Sequence, residues 1–254
     1  MQPGGMAPRA MTLAALSLAL FLLSTISGML GIGVAFAAVP LLSLVLPDLV
    51  NQVHPLSLAL NGVTALFSLF GFAWAGLVDW KRAWMLAAAV TLASPLGAIF
   101  ARVSPEWMLW AAYTVAAAYF LFSMFHPVRL APWHEEFAPV LVWAVPISVL
   151  TGYIGVGPGF LLVPMLMRHG IDIKRAAGLN AFAVTPASFA TILPHWAHVD
   201  VAVDLALPLL GVGAAGALIG ARLATTRMST AVLRRVLAAA IIGTLAYRAL
   251  RHFV

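Results

Sequence analysis

"GMLGIGVAFAAVPLL" occupies residues 28–42, and "GYIGVGPGFLLVPML" occupies residues 152–166. Each runs from apolar residues into a glycine cluster, then through a few small or apolar residues to a proline. Both lie where a helix through lipid should be unbroken, because hydrocarbon offers a loose backbone group no partner. Reading these interruptions decides the fold.

The composition places the chain in a membrane. It is 63% hydrophobic and 9% charged, with mean hydropathy +1.02. A soluble domain of 254 residues could not cover its surface with so few charges. Several apolar runs approach the roughly 20 residues that span a bilayer. Alternation of apolar and polar residues is absent, which argues against a β-barrel. The net charge of +6 does not point to nucleic acid, because the basic residues stand singly or in pairs at the ends of apolar runs. The sequence has no cysteine, which excludes disulfides and thiolate metal sites. The first apolar stretch continues past signal-peptide length, and "STISGML" is a poor cleavage site, so a retained helix is expected.

Apolar segments fall at about 11–30, 34–46, 55–77, 83–101, 106–125, 137–154, 158–168, 177–197, 202–221 and 231–250. The second and seventh are too short to cross: 13 residues reach only about 20 Å. Each directly follows a glycine cluster, so each reads as the second arm of a broken or re-entrant helix. The least apolar stretch, "HPVRLAPWHEEFAP" at 126–139, reads as a solvated loop between two halves. The expected organisation is a first membrane repeat at 1–126, a loop at 127–136 and a second repeat at 137–254, all one membrane domain.

Gly33 to Pro40 is seven residues, as is Gly157 to Pro164. "LVDWKRA" (77–83) is echoed by "HVDVAVD" (198–204), and "PLGAIFAR" (95–102) by "AAGALIGAR" (214–222). An ordered series at an offset drifting only from 124 to 119 argues for duplication. Topology follows from charge. If each broken element returns to the side it came from, ten of the 14 Lys and Arg lie on one face. The other face keeps only Arg9, Arg102, Arg248 and Arg251. By the positive-inside rule both termini then lie outside the cytoplasm. Five segments per half, an odd number, make the halves inverted repeats. The expected fold class is therefore an all-α polytopic membrane protein of two inverted repeats, with the site of a transporter near the midplane.

These features resemble the sulfite exporter TauE/SafE family of membrane permeases over nearly the whole chain. The resemblance rests on the doubled glycine-then-proline motif, on "VDW" after the third segment and on "GARLA" near the end. The family's glycine triplets read "GVA" (33–35) and "GPG" (157–159) here. Its "GTS" element reads "PLS" (55–57) and "GLN" (178–180), which keeps Ser57 and Gly178 and puts Asn180 in place of the second serine. The resemblance implies export or uptake of a small sulfur oxyanion or organosulfonate, and the expected location is a bacterial inner membrane. No cofactor is expected. The expected partners are the substrate and the bilayer, with no nucleic acid and with room for a homodimer.

No Lys or Arg lies near the middle of an expected span, so an anion must be held by neutral donors. A helix broken at the midplane offers unpaired N–H groups and a positive dipole end. Glycine admits a ligand to that backbone, and Pro158 suits a first helical turn. The candidate substrate-binding residues are Gly31, Gly33, Gly155, Gly157 and Gly159, with Ser57, Asn61 and Asn180 on the following helices. The competing reading of the glycines is close helix packing, and of the polar side chains interhelical hydrogen bonding. Of the two copies, "GVGPG" keeps the more open backbone, so the second is expected to hold the anion more strongly. Ser57, Asn61, Thr64 and Ser68 share one helix face. His54, at the foot of that helix, is a candidate for proton coupling. Two other functions compete with transport. One is an intramembrane enzyme using His54 or the His195/His198 pair of "HWAH", although those histidines lack suitably spaced carboxylate or serine partners. The other is a non-transporting assembly subunit. No Walker motif is present, so the chain is not expected to hydrolyse ATP, and no catalytic or metal-ligating set is expected.

Overall fold

The computed structural model describes residues 6–125 and 137–226, together with positions 232 and 235. The expected inter-repeat loop at 127–136 lies outside the described residues, as does nearly all of the expected last span at 231–250. The described chain is helical: α1 (Met6–Gly28), α2 (Ala35–Leu42), α3 (His54–Trp74), α4 (Trp80–Val103), α5 (Glu106–Phe125), α6 (Ala138–Tyr153), α7 (Gly159–Arg168), α8 (Ile173–Ile192) and α9 (Val203–Thr226). A π-helical turn, Leu49–Val53, leads into α3, and a 3-10 turn, Leu193–His198, follows α8. Among the described residues, four stretches are long and apolar enough to cross a membrane: Leu49–Trp74, Trp80–Val103, Ile173–His198 and Val203–Thr226. The surface is apolar in the way lipid requires, with Leu92, Val103 and Val115 at 79%, 82% and 69% exposure.

Aspartates start several of these elements. Asp79 accepts a hydrogen bond from the Arg82 N–H at 3.2 Å and opens α4. Asp172 accepts from the Lys174 N–H at 3.0 Å and opens α8. Asp48 accepts from the Val50 and Asn51 N–H groups at 3.0 and 2.9 Å and opens the π-helical turn. Such caps satisfy donors that a helix start leaves unpaired, each worth about 1 kcal/mol. Burial alone would raise the Asp48 pKa, but the hydrogen bonds from Asn51 and Val50 outweigh it and hold the carboxyl below its ordinary value.

The short helices occur where the glycine clusters put them. After α1, the Gly31 N–H donates to the Gly28 carbonyl at 3.2 Å and the Ile32 N–H to the Ser27 carbonyl at 3.3 Å. After α6, the Gly155 N–H donates to Gly152 at 3.2 Å and the Val156 N–H to Thr151 at 3.1 Å. This is the same helix-ending motif twice, and it demands a left-handed residue at its turn. Gly31 and Gly155 supply it, with φ of 60° and 70°. At ~1.5 Å per residue, α2 and α7 then extend only about 12 and 15 Å.

Contacts at the helix ends give the course of the chain. Where α3 begins, the Asp200 N–H donates to the Asn51 carbonyl at 3.1 Å, and Arg102 at the end of α4 donates to the Pro194 carbonyl at 2.7 Å. The start of α3 and the ends of α4 and α8 therefore share one end of the bundle, the His54 end. At the opposite end, Gly178 of α8 lies against Leu77, just past α3. Arg82 sits over the ring of Phe137, immediately before α6, at 5.8 Å. The α6–α7 element thus enters and leaves at this second end. The α1–α2 element enters alongside α9, with Gly216 against Phe21 and Gly220 against Thr25, and returns to the His54 end. Between the two tips, α3 packs against α8 and α9, and α8 packs against α3 and α4.

Candidate anion site at the crossing turns

The two turns meet tip to tip inside the bundle. A Cβ on Gly159 would strike the Ile32 carbonyl of the other turn. Phe36 and Phe160, the second residues of α2 and α7, stack at 4.6 Å between ring centroids. Both are buried and stand 124 residues apart, the offset of the glycines themselves. The sequence reading missed this pair, although its signal is the phenylalanine at matching positions in "GVAF" and "GPGF". From α5, Tyr113 stacks on Phe36 at 5.3 Å and donates its hydroxyl to the Phe36 carbonyl at 2.6 Å.

The sequence-expected polar residues are all drawn to these turns and fully buried. Ser57 Oγ lies 2.9 Å from the Gly155 carbonyl, which accepts its proton. Asn180 Nδ2 donates to the Gly31 carbonyl at 2.8 Å. Ser57 of α3 therefore holds the turn before α7, and Asn180 of α8 the turn before α2, through the last residues of "PLS" and "GLN". Asn61 joins more. Its Oδ1 accepts from the Ala35 N–H at 3.0 Å, and its Nδ2 donates to Ser188 Oγ at 2.9 Å. Gly33 and Gly157 both leave room for it, since a Cβ on either would strike the Asn61 amide. Thr64 Oγ1 accepts from the Val34 N–H at 3.1 Å.

These bonds make the two helix starts unequal. At α2, the Val34 and Ala35 N–H groups are taken by Thr64 and Asn61. At α7, no side chain caps the start, and no described residue accepts from the Gly159, Phe160 or Leu161 N–H groups. Three aligned donors at a helix N-terminus, in a buried place, make an anion-binding arrangement. Asn180 Oδ1, one helical turn from Val184, which lines Gly159, is buried without a partner among the described residues.

The histidines are sorted differently from the sequence expectation. His195 and His198 do not act as a pair. His198 Nδ1 lies 2.9 Å from the Arg102 guanidinium, whereas His195 is fully buried with its ring 6.1 Å from that of His54. The His54 ring lies against Gly155. Ser68, also on the polar face of α3, bonds only its own helix, at the Thr64 carbonyl.

A polytopic helical bundle with paired, interrupted helices and a buried polar crossing defines a membrane transporter. The chain belongs to the sulfite exporter TauE/SafE family, which matches residues 16–248. Among curated proteins it is similar to a "probable membrane transporter protein" of Xylella fastidiosa strain Temecula1, 28% identical over 87% of this chain and 88% of that one. It is likewise similar to one from strain 9a5c, 28% identical over the same shares. A "probable membrane transporter protein" of Methanocaldococcus jannaschii is 20% identical over 69% of each chain. No solved structure matches the chain.

Proposed function

We propose that the protein is a permease for a small anion, a sulfur oxyanion or organosulfonate, working by alternating access at a midplane site between the crossing turns. The observation that carries this reading is the start of α7, where the buried Gly159, Phe160 and Leu161 N–H groups find no acceptor among the described residues, while at α2 the Ala35 N–H that corresponds to Gly159 is taken by Asn61 and the Ala37 N–H bonds the Val34 carbonyl. The family description and the transporter names of the relatives support the substrate class and the activity. Neutral donors suit an anion that must be released again, because they bind it without a buried fixed cation.

The two halves, 1–126 and 137–254, are inverted repeats in this proposal. Support comes from the helix ends: α3 starts where its counterpart α8 finishes, and the two re-entrant elements enter from opposite ends. The crossing turns would then stay as one rigid plug, with the surrounding helices rocking to expose α7 first to one side and then to the other. In this proposal the membrane is a bacterial inner membrane, and the distribution of Lys and Arg supports both termini lying outside the cytoplasm.

Melting of the purified protein against sulfite, thiosulfate, sulfonates and carboxylates tests the site. A ligand at 100 times its Kd stabilises a folded protein by about 2.7 kcal/mol, enough to move the melting temperature by several degrees. Asn180→Asp should abolish that shift by placing a carboxylate beside the anion. Asn180→Ser should keep it, because serine can still donate to the Gly31 carbonyl, as Ser57 does to Gly155. A shift that survives Asn180→Asp would put the anion elsewhere.

A further inference from the structure

His54 and His195 are buried, at 1% and 0% exposure, and their rings stand edge-on at 88° and 6.1 Å. Among the described residues, Nδ1 of His54 and both nitrogens of His195 have no hydrogen-bond partner. The Val50 backbone lies beside His195 without closing a hydrogen bond of good geometry. Native proteins rarely bury a polar group without a partner, and the exceptions mark strain, catalysis or an absent ligand. These two side chains come from different halves, and both sit at the His54 end. The His54 ring presses on Gly155, and Ser57, one turn along, holds the Gly155 carbonyl.

We propose that His54 and His195 form one shared proton site that latches the second turn shut at the His54 end of the permease. The inference rests on the permease reading for its purpose, while the latch itself is a statement about geometry. With no third His, Cys, Asp or Glu in reach among the described residues, the ligand is a proton rather than a metal ion.

The charged surroundings set the direction. Arg102 at the end of α4 faces His195, and Asp48 at the start of the π-helical turn faces His54. His198 is held by Arg102, and Asp200 is held by Gln52 and Asn51. In the closed state both imidazoles are shut away from water. A proton on the pair adds a positive charge opposite Arg102, which already binds the Pro194 carbonyl of the same 3-10 turn. Separating α4 from that turn relieves the repulsion and lets water reach the imidazolium, while Asp48 stays close enough to His54 to hold the charge. The protonated form therefore favours the open state, and opening increases as pH falls. Because two adjacent positive charges oppose each other in one buried place, the pair takes a single proton. Linkage then limits the change in the opening equilibrium to about tenfold per pH unit.

The natural absence of cysteine supplies the test. A lone cysteine at Val156→Cys, buried in the turn, is labelled with a maleimide in the full-length protein between pH 8 and 5. Its rate is divided by that of Ala75→Cys, at an exposed position, which removes the pH dependence of the thiol itself. The ratio should rise by up to ~tenfold per pH unit within the histidine range. His195→Gln and His54→Gln, neutral and similar in size, should each flatten it. If one of them does not fold, the other decides. A ratio that ignores pH, or a rise that persists in a folded glutamine variant, overturns the latch. Anion flux without pH-dependent labelling removes the latch alone, whereas pH-dependent labelling without anion flux removes the permease reading and leaves the latch standing.

Discussion

Gly31→Ala should destabilise the protein by about 2–5 kcal/mol, whereas Gly76→Ala should cost about 1–2 kcal/mol. Both glycines have a left-handed backbone, with φ of 60° and 68°, and a side chain there costs roughly 1–2 kcal/mol by itself. What separates them is space. A Cβ at Gly76 meets nothing within 4 Å, but at Gly31 it strikes the carbonyl of Ala177, a backbone group of α8 that cannot swing aside. Forcing a methyl group into such a contact adds about 1–3 kcal/mol. Denaturant unfolding in detergent, with helicity as the signal, measures the difference. Equal losses at the two positions would mean that the turn is not wedged against α8.

Asn61→Ala is the second large effect. The amide bonds α2 at Ala35 and α8 at Ser188 at the same time. Removing it strips the start of α2 of a cap and leaves a buried N–H unpaired, together costing about 2–4 kcal/mol. Ser68→Ala, equally buried on the same face of α3, should cost only about 0.5 kcal/mol, because its hydroxyl serves only its own helix. The same unfolding measurement separates them. Similar losses would show that Asn61 is one more interhelical polar contact rather than the clip that ties the start of α2 to α8.

The broken helices were legible in the sequence because glycine and proline act locally. The expected short segments at 34–46 and 158–168 correspond to Ala35–Leu42 and Gly159–Arg168. The first is shorter than its apolar run because the chain turns after Leu42, with Ser43 donating its hydroxyl to the Pro40 carbonyl, and Asp48 then starts the next element. Apolar composition continues through a turn that hydrogen bonding has already made. The shared face of Ser57, Asn61, Thr64 and Ser68 was legible from helical spacing.

What each of those residues does was not. The glycine turns are packed as tightly as the structural reading required, and Ser57, Asn61 and Asn180 bond protein atoms directly. Asn61 caps a helix that starts 26 residues earlier, so no local pattern marks it as a cap. The His54–His195 contact joins positions 141 apart and exists only because α3 and α8 run in opposite directions. Spacing suggested His195 with His198, but the 3-10 turn points the first inward and gives the second to Arg102. The inequality of the two helix starts was legible in part. "GVGPG" has fewer side chains than "GIGVA", yet it is the reach of Asn61 and Thr64 that closes the first start.

Flux through the purified protein in sealed liposomes tests the central claim most directly. Liposomes loaded with sulfite, thiosulfate or a sulfonate should lose the preferred anion at least ~tenfold faster with wild-type protein than with folded Asn180→Asp, since a buried carboxylate beside the anion disfavours its binding by more than ~1.4 kcal/mol. No flux of any such anion through the folded wild-type protein, or equal flux through Asn180→Asp, would contradict an anion site at the start of α7.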